Sequence, residues 1–205
     1  MVPLTQAERE QVLAAIADAE LRSAAEFAVA VAGSADRYPE IRLLAPALIA
    51  LLAPPLALAT GLLTDAFWLA IMPAGLFIAF SAILLPDAIA VRLVPSRMRD
   101  DRSRRLARTL FMDLGLTNPR DRAGVLLFIA RAERRVEILA GAGVAERIDS
   151  EAWQTVVDRF VQAARTGPLA PALTDAITAA TALLSEAFPT DDRNPDEVPN
   201  RLIEL

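Results

Sequence analysis

Two long apolar runs dominate the hydrophobic pattern of this chain. Residues 43–63 and residues 66–86 each form a stretch of 21 positions without a charge. As helices each would be about 31 Å long, close to the roughly 30 Å hydrocarbon core of a bilayer. Only Thr64 and Asp65 separate the runs, so the pattern predicts a transmembrane helical hairpin with a very tight turn. A buried hairpin of a soluble protein is the alternative. Interior prolines such as Pro54 and Pro55 favour the membrane, where neighbours satisfy the freed carbonyls.

The residues before the hairpin predict one helix and one strand. Thr5 and Glu8 have the spacing of a capping box, which predicts a helix that begins there and runs to about Arg22. Large and small apolar residues then alternate over 26–32, a pattern typical of a strand. One helix and one strand are too few to bury a core of their own.

The residues after the hairpin predict a helix, two strands and two further helices. Residues 101–114 form the helical pattern, followed by a fully apolar strand at 124–130 and an alternating strand at 134–139. Helical spacing then gives a first apolar stripe of Trp153, Val156, Val157, Phe160, Val161 and Ala164. A second stripe consists of Leu173, Ala176, Ile177, Ala180 and Leu184.

These elements predict one α/β domain with the membrane hairpin inserted into it. The early strand needs the later strands as partners, and two spans return the chain to the side from which it started. We therefore divide the chain into a first part of the domain (1–40), the hairpin (41–94), a second part (95–188) and an extended or disordered tail (189–205).

Composition narrows the chemistry that this domain could perform. The 205 residues are 54% hydrophobic, yet they include no histidine, cysteine or lysine, and all 21 basic residues are arginine. A Ser–His–Asp triad, a cysteine nucleophile, imidazole or thiolate metal ligands and a Schiff-base lysine are therefore excluded. Any bound metal would be a hard, oxygen-liganded ion such as Ca²⁺ or Mg²⁺.

Arginine also predicts the orientation in the membrane. Seven arginines and two aspartates lie between residues 92 and 108, a local net charge of +5 in a chain of net charge −5. The positive-inside rule then places both termini in the cytoplasm of a two-span inner-membrane protein. A nucleic-acid site is the alternative, but no aromatic residue is interleaved to stack on bases, so we expect none. Asp87 follows the second span, where it can pair with Arg92.

Several motifs resemble the TPM domain family. The residues that carry the resemblance are TNPRDRAGVLLF at 117–128, RRVEI at 134–138 and GAGV at 141–144. The opening residues 5–32 and the last six residues also resemble bacterial membrane members of this family with a similar hairpin after the first strand. The resemblance implies a TPM-like α/β/α sandwich with a mixed sheet.

The resemblance also implies a candidate site. Some family members are credited with acid phosphatase activity or Ca²⁺ binding through loop carboxylates. The corresponding residues here are Asp121, Glu133, Glu146 and Asp149, which could hold Ca²⁺ or Mg²⁺; otherwise we expect no cofactor. Two of the four stand one place from the family positions. The alternative interpretation makes Asp149 a helix N-cap and the other three a solvated rim.

Two function hypotheses follow. The first is a membrane-anchored, non-enzymatic interaction or assembly module, whose partners are the lipid bilayer and other membrane proteins, with a homo-oligomer also open. The alternative is a divalent-cation-dependent acid phosphatase-like enzyme that uses the four carboxylates. The missing catalytic residue types favour the first.

Overall fold

The chain forms two compact units. The computed structural model describes residues 4–117, 123–190 and 201–205. One unit consists of Met1–Ala35 together with Asp101–Leu205, and the other is Asp36–Asp100. We call them the sandwich unit and the hairpin unit.

The described residues include helices and four strands. The strands are β1 (Glu26–Ala32), β2 (Gly124–Ala130), β3 (Arg135–Ala140) and β4 (Arg201–Glu204). The helices are α1 (Gln6–Arg22), α2 (Pro39–Ala59), α3 (Ala66–Ile83), α4 (Asp87–Leu93), α5 (Ser96–Asp113), α6 (Ala142–Arg147), α7 (Ser150–Thr166) and α8 (Leu169–Ala187).

The sandwich unit is built on one mixed sheet in the order β3-β2-β1-β4. β1 is parallel to both β2 and β4, and β2 is antiparallel to β3. β1 and β2 are buried along their whole length, as expected of strands covered on both faces. The prediction that the early strand joins the later ones is therefore confirmed.

Alternation of side-chain size in β1 assigns the two faces of the sheet. Phe27, Val29 and Val31 belong to a large core that also contains the buried faces of α1, α7 and α8. The intervening alanines belong to a second core with α5, whose Ala107 and Phe111 lie in it. Small residues on that face let the helix approach closely. The predicted α/β/α sandwich with a mixed sheet is confirmed.

The hairpin unit contains the two apolar helices and the short α4. Both α2 and α3 are long and apolar enough to cross a membrane. Prolines 46, 54 and 55 lie inside α2 and Pro73 lies inside α3, as predicted. The predicted two-residue turn is too short, because α2 ends at Ala59 and Gly61 adopts a left-handed φ of 69°. Six residues therefore connect the helices, and the Asp65 carboxylate caps α3 by accepting from the Phe67 and Trp68 backbone N–H groups.

The capping box predicted at the start of α1 is confirmed. The Thr5 hydroxyl accepts from the Glu8 backbone N–H (3.3 Å), and a Glu8 carboxylate oxygen accepts from the Thr5 N–H (2.8 Å). The Thr5 backbone N–H, followed by its hydroxyl, lowers the pKa of Glu8 because both hydrogen bonds favour the charged carboxylate.

Three features of the fold depart from the sequence prediction. Asp87 pairs with Arg42 of α2 rather than with Arg92, because the ends of the hairpin bring these two side chains together. Helix α5 starts five residues before the predicted position 101. Residues near the end of the predicted tail form β4, which was not predicted because only two of its four residues, Leu202 and Ile203, are apolar. Residues 191–200 lie outside the described residues.

Candidate functional site

The three described carboxylates of the predicted cation site lie in different elements. Glu133 is in the turn between β2 and β3 and is only 2% exposed. Glu146 is an exposed residue of α6. Asp149 is at the N-cap position of α7, exposed and without a capping hydrogen bond from its side chain. Asp121, like residues 118–122 of the motif around it, lies outside the described residues.

The sheet separates Glu133 from the other two carboxylates. β3 runs antiparallel to β2, so the turn that contains Glu133 is at one end and the chain leaves for α6 at the other. The backbone N–H of Gly141 donates to Gly124 O there (2.8 Å). Six strand residues at about 3.3 Å each span roughly 20 Å.

The described residues therefore do not assemble the predicted four-carboxylate site. Glu133 is too far from Glu146 and Asp149 to share an ion, since ligands lie within about 2.6 Å of Ca²⁺. Over residues 4–117, 123–190 and 201–205, no group of three or more Asp, Glu, His or Cys side chains could hold a metal ion. The binding of Ca²⁺ or Mg²⁺ stays a prediction that depends on Asp121.

Glu133 instead connects two strand ends. One of its carboxylate oxygens accepts from the Ser34 hydroxyl (2.9 Å) and from the Ala35 backbone N–H (3.0 Å). Backbone bonds from Arg131 N–H to Ala32 O and from Ala132 N–H to Gly33 O, each 3.0 Å, run alongside. The buried carboxylate therefore connects the segment after β1 to the turn after β2 by hydrogen bonds.

Three arginines lie in this turn and at the start of β3. Arg131, Arg134 and Arg135 lie within five residues, at the end of the sheet where the parallel strands β1 and β2 finish. Carboxyl ends of parallel strands are a common place for ligand sites in α/β proteins. Arg134 has a left-handed backbone with φ 55°, which is rare for any residue with a side chain beyond Cβ. This conformation closes the turn into β3.

A cavity of about 550 Å³ opens beside this turn. It lies between the β2–β3 hairpin and the end of α7, with Gly167 and Leu169 of the α7–α8 connection at its edge. Its charged lining residues are four arginines: Arg131, Arg134, Arg135 and Arg165. Its apolar lining includes Val136, Phe160, Val161 and Ala164. This volume is typical of a small-molecule site.

Sequence reasoning missed this cavity. Val161 belongs to the apolar stripe predicted for the core, yet it is 37% exposed and lines the cavity. The three arginines of the turn were visible as a motif, but Arg165 is thirty residues later in the chain. Only the packing of α7 beside β3 brings it to them, and no local pattern in the sequence encodes that.

The fold and its inserted hairpin define a mixed-sheet α/β sandwich protein with two helices able to cross a membrane. Residues 87–183 match the model of the TPM domain family, so the resemblance predicted from the sequence is confirmed over that segment. No protein with a curated description matches the chain. The NMR structure of the BA42 protein from the psychrophilic bacterium Bizionia argentinensis is similar in fold, with a TM-score of 0.61 and 19% identity over 98% of this chain and 95% of that chain.

Proposed function

We propose that this chain is a TPM-like domain held in the inner membrane by the α2–α3 hairpin, and that its sandwich unit binds other membrane proteins without catalysing a reaction. The exposed apolar surface of the hairpin carries the proposal. No described residue of α3 is buried, and α2 buries only Pro46, Ala50 and Ala57. Large side chains exposed by more than half include Leu43, Leu44, Leu48, Leu51, Leu52, Leu56, Leu58, Phe67, Trp68 and Ile78.

A bilayer is the environment that suits such a surface. An apolar side chain that is fully covered contributes about 1.5–3 kcal/mol relative to exposure in water, and water-soluble monomers rarely expose contiguous patches of this size. At 1.5 Å per residue, α2 and α3 are about 31 Å and 27 Å long, which matches a hydrocarbon core.

The charges around the hairpin support one orientation. Asp65 is the only charged residue between the two helices, whereas Arg42 and Asp87 form an ion pair at the other end of the hairpin. The arginine-rich stretch 92–108 follows immediately, largely within α5. Arginines retained beside a span favour the cytoplasmic side, where they also meet anionic headgroups.

Labelling of single cysteines tests this topology directly, because the natural chain has no cysteine. Thr64→Cys in the turn and Thr190→Cys after α8 both occupy exposed positions. In intact bacterial spheroplasts we expect a membrane-impermeant maleimide to label Thr64→Cys and to reach Thr190→Cys only after permeabilisation. The reverse pattern would contradict the orientation, and labelling of both in a soluble fraction would contradict the membrane anchor.

An activity assay separates the interaction module from the phosphatase alternative. The purified chain is incubated with a generic aryl phosphate, with and without Ca²⁺ or Mg²⁺, beside an Asp121→Ala/Asp149→Ala double variant. We expect no turnover above that of the double variant. Cation-dependent turnover that the double variant loses would replace the binding proposal with the enzyme. Cross-linking in membranes, compared with a variant whose sandwich unit is deleted, then tests whether membrane proteins associate through that unit.

A further inference from the structure

We propose that the arginine-lined cavity is a binding site for a small organic anion that carries at least two negative charges and an apolar body. We call it the arginine cavity: the space lined by Arg131, Arg134, Arg135 and Arg165, with Phe160 and Val161 on its apolar side. The inference is independent of the proposed membrane anchor, because every lining residue belongs to the sandwich unit.

The charge of the lining is one-sided. All four charged residues that line the arginine cavity are cationic. Glu133 is in the same turn, but its carboxylate is buried and accepts from Ser34 and Ala35 at the end of β1. Like charges that line one opening repel each other, and a bound anion relieves that repulsion.

Two of the four guanidinium groups are available to a ligand. Arg134 and Arg165 are exposed, and neither side chain makes a hydrogen bond or ion pair with the part of the chain that the structure describes. Arg131 and Arg135 are half-buried and have interactions of their own. Each guanidinium offers a planar pair of N–H donors that fits two oxygens of a carboxylate or phosphate.

The apolar lining sets the second requirement on the ligand. Phe160 is 3% exposed, whereas Val161 one position later is 37% exposed towards the cavity. Val136 and Leu169 contribute further apolar surface. A ligand with an apolar body beside its charged group would cover this surface, which a bare inorganic ion cannot do. The geometry therefore points to an organic anion.

The backbone of Arg134 is consistent with a ligand contact. Glycine or asparagine is the usual residue at a left-handed turn position, since a longer side chain is strained there. The Arg134 side chain makes no hydrogen bond or ion pair with the described residues that would offset this strain. Strained residues of this kind cluster at ligand sites.

Calorimetric titration of the full chain in zwitterionic nanodiscs tests the inference. The first probe is benzylsuccinate, a dicarboxylate with an aromatic body. The second is phenylphosphonate, a phosphate-like dianion whose carbon–phosphorus bond resists hydrolysis. We expect at least one probe to bind, more tightly than succinate or inorganic phosphate, which lack the apolar body. Binding should weaken as salt is added. Competition by a water-soluble short-chain phosphatidic acid then distinguishes a lipid phosphate from a soluble ligand.

Arginine-to-alanine variants decide whether the arginine cavity is the site. An Arg134→Ala/Arg165→Ala double variant should bind the probe at least about tenfold more weakly, because it loses two bidentate contacts. Arg159→Ala is the control: Arg159 is on the same helix as Arg165 but does not line this cavity. Absence of binding by both probes at about 10 mM, or equal weakening by the control, would overturn the inference.

Discussion

Arg134→Gly is predicted to make the protein more stable while removing part of its binding site. Most substitutions of a residue near a functional cavity either leave stability unchanged or lower it. Here the backbone φ of 55° strains an arginine but suits a glycine, so the two effects should separate. The substitution therefore tests whether the arginine at this position contributes to the stability of the fold or to ligand binding.

The expected magnitude follows from two opposing contributions. A residue with Cβ in the left-handed region costs about 1–2 kcal/mol, which glycine does not incur. Glycine loses about 0.5–1 kcal/mol more conformational entropy on folding than alanine does. The Arg134 side chain makes no described hydrogen bond or ion pair whose loss would add to this. The net expectation is an increase of about 0.5–1 kcal/mol in the free energy of unfolding.

Tryptophan fluorescence during urea unfolding measures this difference. Trp153 is buried in α7 of the sandwich unit, whereas Trp68 is exposed on α3 of the hairpin unit. In a Trp68→Phe background the remaining tryptophan therefore reports on the sandwich unit alone. Linear extrapolation of the transitions gives the free energy of unfolding for each variant. A parallel thermal melt should shift upward by roughly 1–4 °C.

Arg134→Ala is the matched control for this experiment. It removes the same charge but keeps Cβ, so the left-handed strain remains and its stability should stay close to that of the parent. The difference between the glycine and alanine variants isolates the backbone contribution, about 1 kcal/mol. If the glycine variant is no more stable than the alanine variant, the turn is not strained and the argument from φ is wrong.

Three further predictions concern the sandwich unit. Gly124→Ala should destabilise it by about 2–3 kcal/mol in the same unfolding assay, because a Cβ at residue 124 would lie 2.2 Å from Leu116 O. Gly33→Ala is the control: its Cβ would lie 3.4 Å from the nearest atom, so the free energy of unfolding should change little. Glu133→Ala should cost about 1–3 kcal/mol by removing the acceptor of two partly buried hydrogen bonds. Glu133→Gln should recover part of that loss, and an equal loss in both variants would contradict the acceptor role. Hydrogen bonds from Thr5 lower the pKa of Glu8 below 4.5, so the charged carboxylate stabilises the fold above that pH and loses this effect as the pH falls through the lower folded-state pKa. The melting temperatures of Glu8→Gln and the parent should therefore converge in acid, and a constant difference between them would contradict this.

Strong periodic signals predicted most of the fold. β1, whose large and small apolar residues alternate, is confirmed because both of its faces are covered, and α8 is confirmed because all five residues of its predicted stripe are buried. β4 was not predicted because four residues are too few to carry a periodic signal. The ion pair of Asp87 with Arg42 was not predicted for a different reason. Arg42 is 45 residues earlier in the chain, and only the closure of the hairpin brings the two side chains together.

The candidate site was less predictable than the fold, since a site depends on distances across the sheet. Family resemblance grouped Glu133 with Glu146 and Asp149, but the antiparallel return of β3 places them at opposite ends. The sequence showed that Arg131, Arg134 and Arg135 belong to one predicted hairpin. It did not show that Arg165 lines the same cavity. A local motif indicates residues that share a turn, whereas a ligand site requires the tertiary packing of several elements.

The absence of histidine, lysine and cysteine makes the pH dependence of ligand binding a sharp test of the arginine cavity. Guanidinium groups stay charged throughout the physiological range, and the other lining residues do not titrate. Both carboxyl groups of benzylsuccinate are largely charged above about pH 6.5, although the first negative charge raises the pKa of the second carboxyl, whereas a phosphate group gains its second charge near pH 6. Affinity for benzylsuccinate should therefore be constant between about pH 6.5 and 8, and affinity for a phosphate-like dianion should rise as its second proton leaves. A strong change for the dicarboxylate over that interval would mean that a group outside the arginine cavity controls binding, and the assignment of the site would be wrong.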